Sequence, residues 1–140
     1  MTGPSRKDTL AVVVDGATKR FGSVTALDSV SFTVQRGETV SILGPNGAGK
    51  TTAISLLLGL RPPTSGTVRV FGENPRAASA RVRIGAMLQE SGVPLTLKAR
   101  EVVEFVAAMY PHPLSPMDAL ATAELTHRAD ARVATLSGGE

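Results

Sequence analysis

The first half of the chain carries short apolar runs separated by glycine and proline turns. Leu10–Val14 is one such run, and Val30–Val34 alternates apolar and polar side chains with the period of a half-buried strand. Thr39–Leu43 has the composition of a more fully buried strand, and Thr67–Phe71 and Ile84–Leu88 predict two more. The pattern therefore predicts a strand-rich first half.

Helical periods first occur after the glycine-rich loop and predominate beyond Pro94. One helix is predicted from Lys50 onward, and Pro62-Pro63 ends it. Leu97–Tyr110 has the apolar stripe of an amphipathic helix. Shorter helical segments are predicted at Ala77–Val82, Asp118–Leu125 and Ala129–Val133. The chain is therefore expected to begin strand-rich and to end helix-rich, with the change near Pro94.

Composition narrows the possible functions. With 42% hydrophobic residues among 140, the chain has the apolar content of a globular domain. Its longest stretch without a charge, Phe105–Met117, is too short and too rich in proline to span a membrane. The net charge of +3 comes from scattered residues, so no nucleic-acid partner is expected. Cysteine is absent, which excludes thiol chemistry and disulfides and fits a reducing cytoplasm.

The sharpest motif lies between the Thr39–Leu43 strand and the Lys50 helix. It matches the pattern G-x-x-x-x-G-K-[ST], in which glycines turn backbone N–H groups toward a phosphate at the positive end of a helix. Lys50 can reach the β- and γ-phosphates, and the Thr51 hydroxyl can ligate Mg²⁺. An ordinary glycine-rich turn beside a chance lysine is the alternative. The residues assigned to the nucleotide are Gly44, Pro45, Asn46, Gly47, Ala48, Gly49, Lys50, Thr51 and Thr52.

The last five residues, Leu136-Ser137-Gly138-Gly139-Glu140, form a second candidate anion site. Ser-Gly-Gly alone is typical of a loop, but Ser137 is also a favourable helix N-cap, and the glycines expose backbone N–H groups. Together with the loop before Lys50, this segment resembles the ATP-binding cassette (ABC) family, in which Leu-Ser-Gly-Gly followed by Gln or Glu is the signature motif. The resemblance extends from about Ala11 to Glu140.

This resemblance implies a fold and a division of the chain. The expected fold is α/β, with a RecA-like P-loop NTPase core, an N-terminal antiparallel β part and a helical subdomain, incomplete at the C-terminus. The expected divisions are a flexible segment over residues 1–9, a nucleotide-binding core over 10–95 and a helical subdomain over 96–140.

The resemblance also assigns roles to single residues. Gln89 resembles the glutamine whose side-chain carbonyl contacts Mg²⁺ and the attacking water, so that Lys50 and Gln89 would be catalytic; a solvated polar position is its alternative. Phe21 resembles the aromatic residue that stacks on adenine, and core packing is its alternative. Ser137, Gly138 and Gly139 would contact ATP.

The partners follow from the same resemblance. Two cassettes would pair head to tail, with each ATP between the phosphate loop of one and the signature of the other. Similarity over Ile84–Tyr110 is greatest to cassettes of drug and polyketide-antibiotic exporters. These act on the cytoplasmic face of the cell membrane, through a separate integral membrane permease subunit.

The chain also departs from the family. Hydrolysis would need an Asp-Glu pair and a histidine after the signature, whereas His112 and His127 both precede it. These 140 residues are therefore expected to bind ATP weakly and to turn it over negligibly. The alternatives are a soluble ABC ATPase without a transport role, a non-catalytic ATP-binding remnant of a truncated gene and, from the phosphate loop alone, a small-molecule kinase.

Overall fold

The computed structural model describes residues 9–87 and 92–137 of the chain. It separates into two compact units, which divide between Ala86 and Met87. The sequence-based division lies a few residues later, after position 95. Of the predicted flexible segment 1–9, all but Thr9 lies outside the described residues.

A three-stranded antiparallel sheet forms the base of the first unit. β1 (Leu10–Phe21) lies between β2 (Val24–Gln35) and β3 (Ser65–Val70), so the strand order is β2-β1-β3. A two-residue turn joins β1 to β2, and Gly22 takes the positive φ of +58° that such a turn favours. The N-terminal antiparallel part of the expected α/β fold is therefore present.

β1 is longer than the apolar pattern predicts. Residues 15–20, most of which are polar, continue the strand, because β2 and β3 bond to β1 on both sides and supply partners for its backbone. Within this stretch Ala17 is fully buried. Tertiary pairing, which local alternation does not report, thus extends the strand to Phe21.

A helix packs against this sheet and closes a small core. α1 (Lys50–Leu57) begins where the helical period predicts. Its Leu56, only 2% exposed, lies in a cluster with Val14, Ala17 and Val68. A short α2 (Ala78–Arg81) follows β3.

Two of the predicted strands are wrong. Residues 39–43 and 84–87 are irregular, and Leu88 lies outside the described residues. Leu43 is 89% exposed, and Val40 and Ile42 are exposed as well. The composition of residues 39–43 is that of a buried strand, but the described sheet contains only β1, β2 and β3, and no described strand pairs with this segment. A strand needs such a partner for its N–H and C=O groups.

The second unit is helical. α3 (Ala99–Ala107) and α4 (Pro116–Thr122) share a core made of Ala99, Leu120 and Ala129. The Glu101 carboxylate accepts a hydrogen bond of 2.8 Å from the Lys98 N–H, which satisfies a donor at the start of α3. Asp130 pairs with Lys98 at 3.3 Å and with Arg100 at 3.2 Å.

The helix predicted over Ala129–Val133 is wrong. Short 3₁₀ helices lie on either side of residues 129–132 instead, at Thr126–Arg128 and Val133–Thr135. The intervening backbone pairs with the start of α3, since Arg100 donates to the Ala129 carbonyl and Ala99 to the Ala131 carbonyl. Over the described part of the chain, no helix has the length and apolar character that crossing a membrane requires.

Candidate nucleotide-binding site

A glycine-rich loop over residues 44–49 leads directly into α1. Gly47 and Gly49 have φ values of +84° and +85°, in the left-handed region that side chains disfavour. The Ala48 N–H donates to the Pro45 carbonyl at 3.3 Å, which folds the loop back on itself. Gly49, a fixed glycine of the motif, and Gly47, at one of its variable positions, therefore stand where the backbone turns.

Gly49 is also in close contact with the sheet. A Cβ atom at this position would lie 2.3 Å from the Ala26 carbonyl oxygen and 2.9 Å from the Leu27 side chain, both on β2. No side chain fits at these distances. The first turn of α1 can therefore lie this close to β2 only because position 49 has no side chain.

Lys50 places its ammonium group inside the loop. Its Nζ donates to the carbonyl oxygens of Gly44 and Pro45, each at 2.7 Å. These are neutral acceptors, and an anionic phosphate oxygen is a stronger partner for an ammonium group. An incoming phosphate can therefore take over bonds that Lys50 now makes to its own loop.

Backbone donors at the start of α1 complete the anion site. Gly49 provides no side-chain cap, and the first turn contains no acidic residue. Among the residues that the structure describes, none accepts a hydrogen bond from the N–H groups of Gly47, Gly49 or Lys50. The helix dipole adds positive charge at this end. The loop thus has the donors and the charge that a phosphate needs.

Thr51 fits the metal position that the sequence predicts. Its side chain is exposed in the first turn of α1, one residue after the phosphate-directed lysine. A hydroxyl oxygen suits Mg²⁺, which typically keeps several waters and takes its other ligands from substrate phosphates. No group of three or more His, Asp or Glu side chains occurs in residues 9–87 and 92–137 that could hold a metal without such phosphates.

Phe21 lies at the end of β1 and is 41% exposed, so its ring is not part of the core. Two cations approach it: Lys19 Nζ lies 5.4 Å and the Arg61 guanidinium carbon 5.3 Å from the ring centroid. The sequence gives a signal for Lys19, which lies two residues before Phe21 on the same strand face. Arg61 comes from the segment after α1, and local sequence gives no signal for it.

The other predicted site residues are Gln89 and the three residues of the signature segment. Gln89, Gly138 and Gly139 lie outside the described residues. Ser137 is exposed and follows Leu136, which packs against the core of the second unit. The Arg128 guanidinium donates to the Thr135 carbonyl at 3.0 Å and so fixes the chain just before this segment.

The comparison with known proteins decides the family. A sequence model of the ABC transporter family matches residues 27–140. The chain belongs to the ABC transporter family. The resemblance carried by Lys50 and the Leu136–Glu140 segment is thereby confirmed.

Curated relatives agree with this assignment. The chain is 36% identical over 144 aligned residues to a Nod factor export ATP-binding protein I of Ralstonia nicotianae, covering 98% of the chain and 45% of that relative. It is 42% identical to the protein of the same name in Burkholderia lata, covering 86% of the chain and 42% of that relative. The chain therefore spans less than half the length of these relatives.

Solved structures show the same fold. CbiO1 of Clostridium perfringens, described as part of the ABC transporter complex cbiONQ, superposes with a TM-score of 0.78 at 23% identity, over 92% of this chain and 56% of that one. The cassette MJ0796, a dimer bound to ADP and Pi in a post-hydrolysis state, gives 0.74 at 28% identity, over 91% and 63%. The ABC cassette fold, an α/β P-loop NTPase, is therefore confirmed.

Proposed function

We propose that this chain supplies the nucleotide-binding part of the ATP-hydrolysing subunit of an ABC transporter. The observation that carries the proposal is the ammonium group of Lys50 inside the glycine loop, at 2.7 Å from two loop carbonyls. Gly49 supports it, since only a residue without a side chain lets α1 begin this close to β2. This arrangement binds a polyphosphate with pre-positioned donors.

Each loop residue has a task in that site. The backbone N–H groups of Gly47, Gly49 and Lys50 donate to the phosphate oxygens, and the Lys50 side chain moves from the loop carbonyls to the β- and γ-phosphates. Thr51 would be a ligand of Mg²⁺, which would supply positive charge to offset that of the phosphates. Phe21 stacks on the adenine ring, and Gln89 orients the attacking water.

The relatives support export and assembly as proposals. Two curated relatives are named Nod factor export proteins, MJ0796 is dimeric, and CbiO1 belongs to a larger transporter complex. We propose an exporter subunit that pairs head to tail with a second ATP-binding subunit. In this dimer Ser137, Gly138 and Gly139 contact the ATP of the partner, and hydrolysis releases the pair by removing the γ-phosphate contacts. A membrane permease subunit would hold the pair at the cytoplasmic face of the membrane.

Binding and turnover separate within these 140 residues. The Asp-Glu pair and the histidine that the family uses for hydrolysis do not occur after the signature within them. Without a carboxylate to polarise water, Lys50 and Thr51 can hold Mg-ATP but supply no base. We propose that residues 1–140 by themselves bind ATP with negligible steady turnover.

The test measures binding of Mg-ATP to the purified chain and to Lys50→Met. The substitution removes a charge-assisted contact and keeps the apolar stem, so we expect affinity to fall by about 10-fold to 100-fold. Arg76→Met is the matched control. It removes an exposed guanidinium of the same unit that forms no ion pair with a described side chain, and the hydrogen bond of Arg76 to Asn74 comes from the backbone N–H.

Two results would contradict the proposal. Equal affinity of Lys50→Met and the wild type would show that the loop does not bind the phosphates. Steady phosphate release by the wild-type chain, abolished in Lys50→Met, would overturn the expected lack of turnover.

A further inference from the structure

Two cations contact one exposed aromatic ring at the end of β1. Lys19 and Arg61 both lie within 5.5 Å of the Phe21 centroid, at 5.4 and 5.3 Å. A cation near a ring face is attracted by the ring quadrupole and restricts where the ring can turn. The ring of Phe21 is thus restricted in its rotation although it lies outside the core.

The segment that carries Arg61 is fastened to β1. Lys19 Nζ donates to the Pro62 carbonyl at 2.7 Å. The Thr64 N–H donates to the Thr18 carbonyl at 2.7 Å, and the Arg20 N–H donates to Thr64 Oγ1 at 3.0 Å. Three bonds from residues 18–20 to 62–64 therefore fix Arg61 beside Phe21.

The same segment is joined to the phosphate loop through α1. The N–H groups of Leu60 and Arg61 both donate to the Ser55 carbonyl, at 3.0 and 3.3 Å. Lys50 begins this helix, and Arg61 follows its last turn. The helix thus begins with the phosphate donors, and two backbone hydrogen bonds join the segment that carries Arg61 to its last turn.

The guanidinium of Arg61 has no competing anchor in the described part of the chain. No described carboxylate pairs with it and no described carbonyl accepts from it, whereas Lys19 is held by Pro62. Its contact is the ring of Phe21. The position of this side chain is therefore explained by the ring and not by an ion pair.

We infer that Arg61 is a positioning residue of the nucleobase subsite, which holds the Phe21 ring in the orientation on which a purine stacks. The inference rests on the proposed function. A ring that is already fixed loses less side-chain entropy when the base stacks on it, so the base binds more tightly. The phosphates, which are held by the loop at Lys50, gain nothing from Arg61.

Two ligands separate base recognition from charge. Mg-ATP carries a base, whereas inorganic tripolyphosphate with Mg²⁺ carries the phosphates alone. We expect Arg61→Ala to weaken ATP binding about twofold to fivefold, the size of one exposed cation–π contact, and to leave tripolyphosphate binding unchanged. Arg76→Ala is the control. Arg61 and Arg76 both line a cavity of about 220 Å³ in the first unit, and Arg76 does not contact Phe21.

A double-mutant cycle tests whether Arg61 acts through the ring. In a Phe21→Leu background, Arg61→Ala should have no further effect on ATP binding. An effect that persists in that background, an equal loss for both ligands, or no loss at all would overturn the inference. Failure of the nucleotide site itself looks different, because Lys50→Met would then leave tripolyphosphate binding unchanged.

Discussion

At the scale of single residues, Gly49 meets two demands at once. Its backbone is left-handed, with φ +85°, and a Cβ would collide with the Ala26 carbonyl at 2.3 Å. Gly47 has nearly the same φ, +84°, but nothing lies within 4 Å of its Cβ position. The two glycines therefore separate backbone strain from steric overlap.

We expect Gly49→Ala to lower the free energy of unfolding by more than Gly47→Ala does. The left-handed backbone costs either variant about 1–2 kcal/mol, and only Gly49→Ala also displaces β2 from the start of α1. Chemical denaturation of both variants measures the difference. Equal losses in the two variants would mean that the close approach of α1 to β2 at Gly49 does not contribute to stability.

Much of this site was predictable from the sequence, because motif spacing reports the loop directly. The order of residues 44–51 alone predicts a phosphate-binding loop. In the structure, Lys50 Nζ lies within hydrogen-bond distance of two carbonyl oxygens of this loop. Arg61 could not be assigned, since it meets Phe21 only through the hydrogen bonds that fasten residues 62–64 to β1. Contacts between distant segments leave no local pattern.

At the scale of elements, hydrophobic periodicity correctly predicts the helices whose apolar faces pack within their own unit. α1 begins at Lys50 as predicted, and α3 lies within the amphipathic stretch. The polar half of β1 was missed, and residues 39–43 were wrongly predicted as a strand, because pairing decides both. An apolar run shows that a segment needs burial, and it does not show that a partner strand is present.

The start of α4 provides a test of a local determinant. Ser115 Oγ accepts from the Asp118 N–H at 3.1 Å, and Pro116 occupies the first turn. We expect Ser115→Ala to lower the stability of the second unit by about 1 kcal/mol, the usual value of an N-cap. Hydrogen exchange of α4 amides measures it, with the exposed Thr96→Ala as control. Equal exchange rates in Ser115→Ala and Thr96→Ala would show that the Ser115 cap does not stabilise α4.

At the scale of the whole chain, burial is limited in both units. Among residues 9–87 and 92–137, the core cluster of the first unit contains four buried residues and that of the second contains three. Large apolar side chains remain exposed elsewhere, including Leu43 before the loop and Phe105 and Met109 on the helical unit. Little apolar area is thus available to offset the loss of chain entropy.

We therefore expect the purified 140 residues to unfold over a broad temperature range and to bind a hydrophobic dye before they melt. Two-state unfolding needs one cooperative core, whereas these units have separate small ones. Calorimetry with and without Mg-ATP provides the measurement, since a ligand that binds only the folded first unit raises the melting temperature of that unit. Lys50→Met is the control, because its transition, whatever its temperature without ATP, should not shift when Mg-ATP is added. A single sharp transition with equal calorimetric and van't Hoff enthalpies, and no dye binding, would show that the two cores suffice for a cooperative fold.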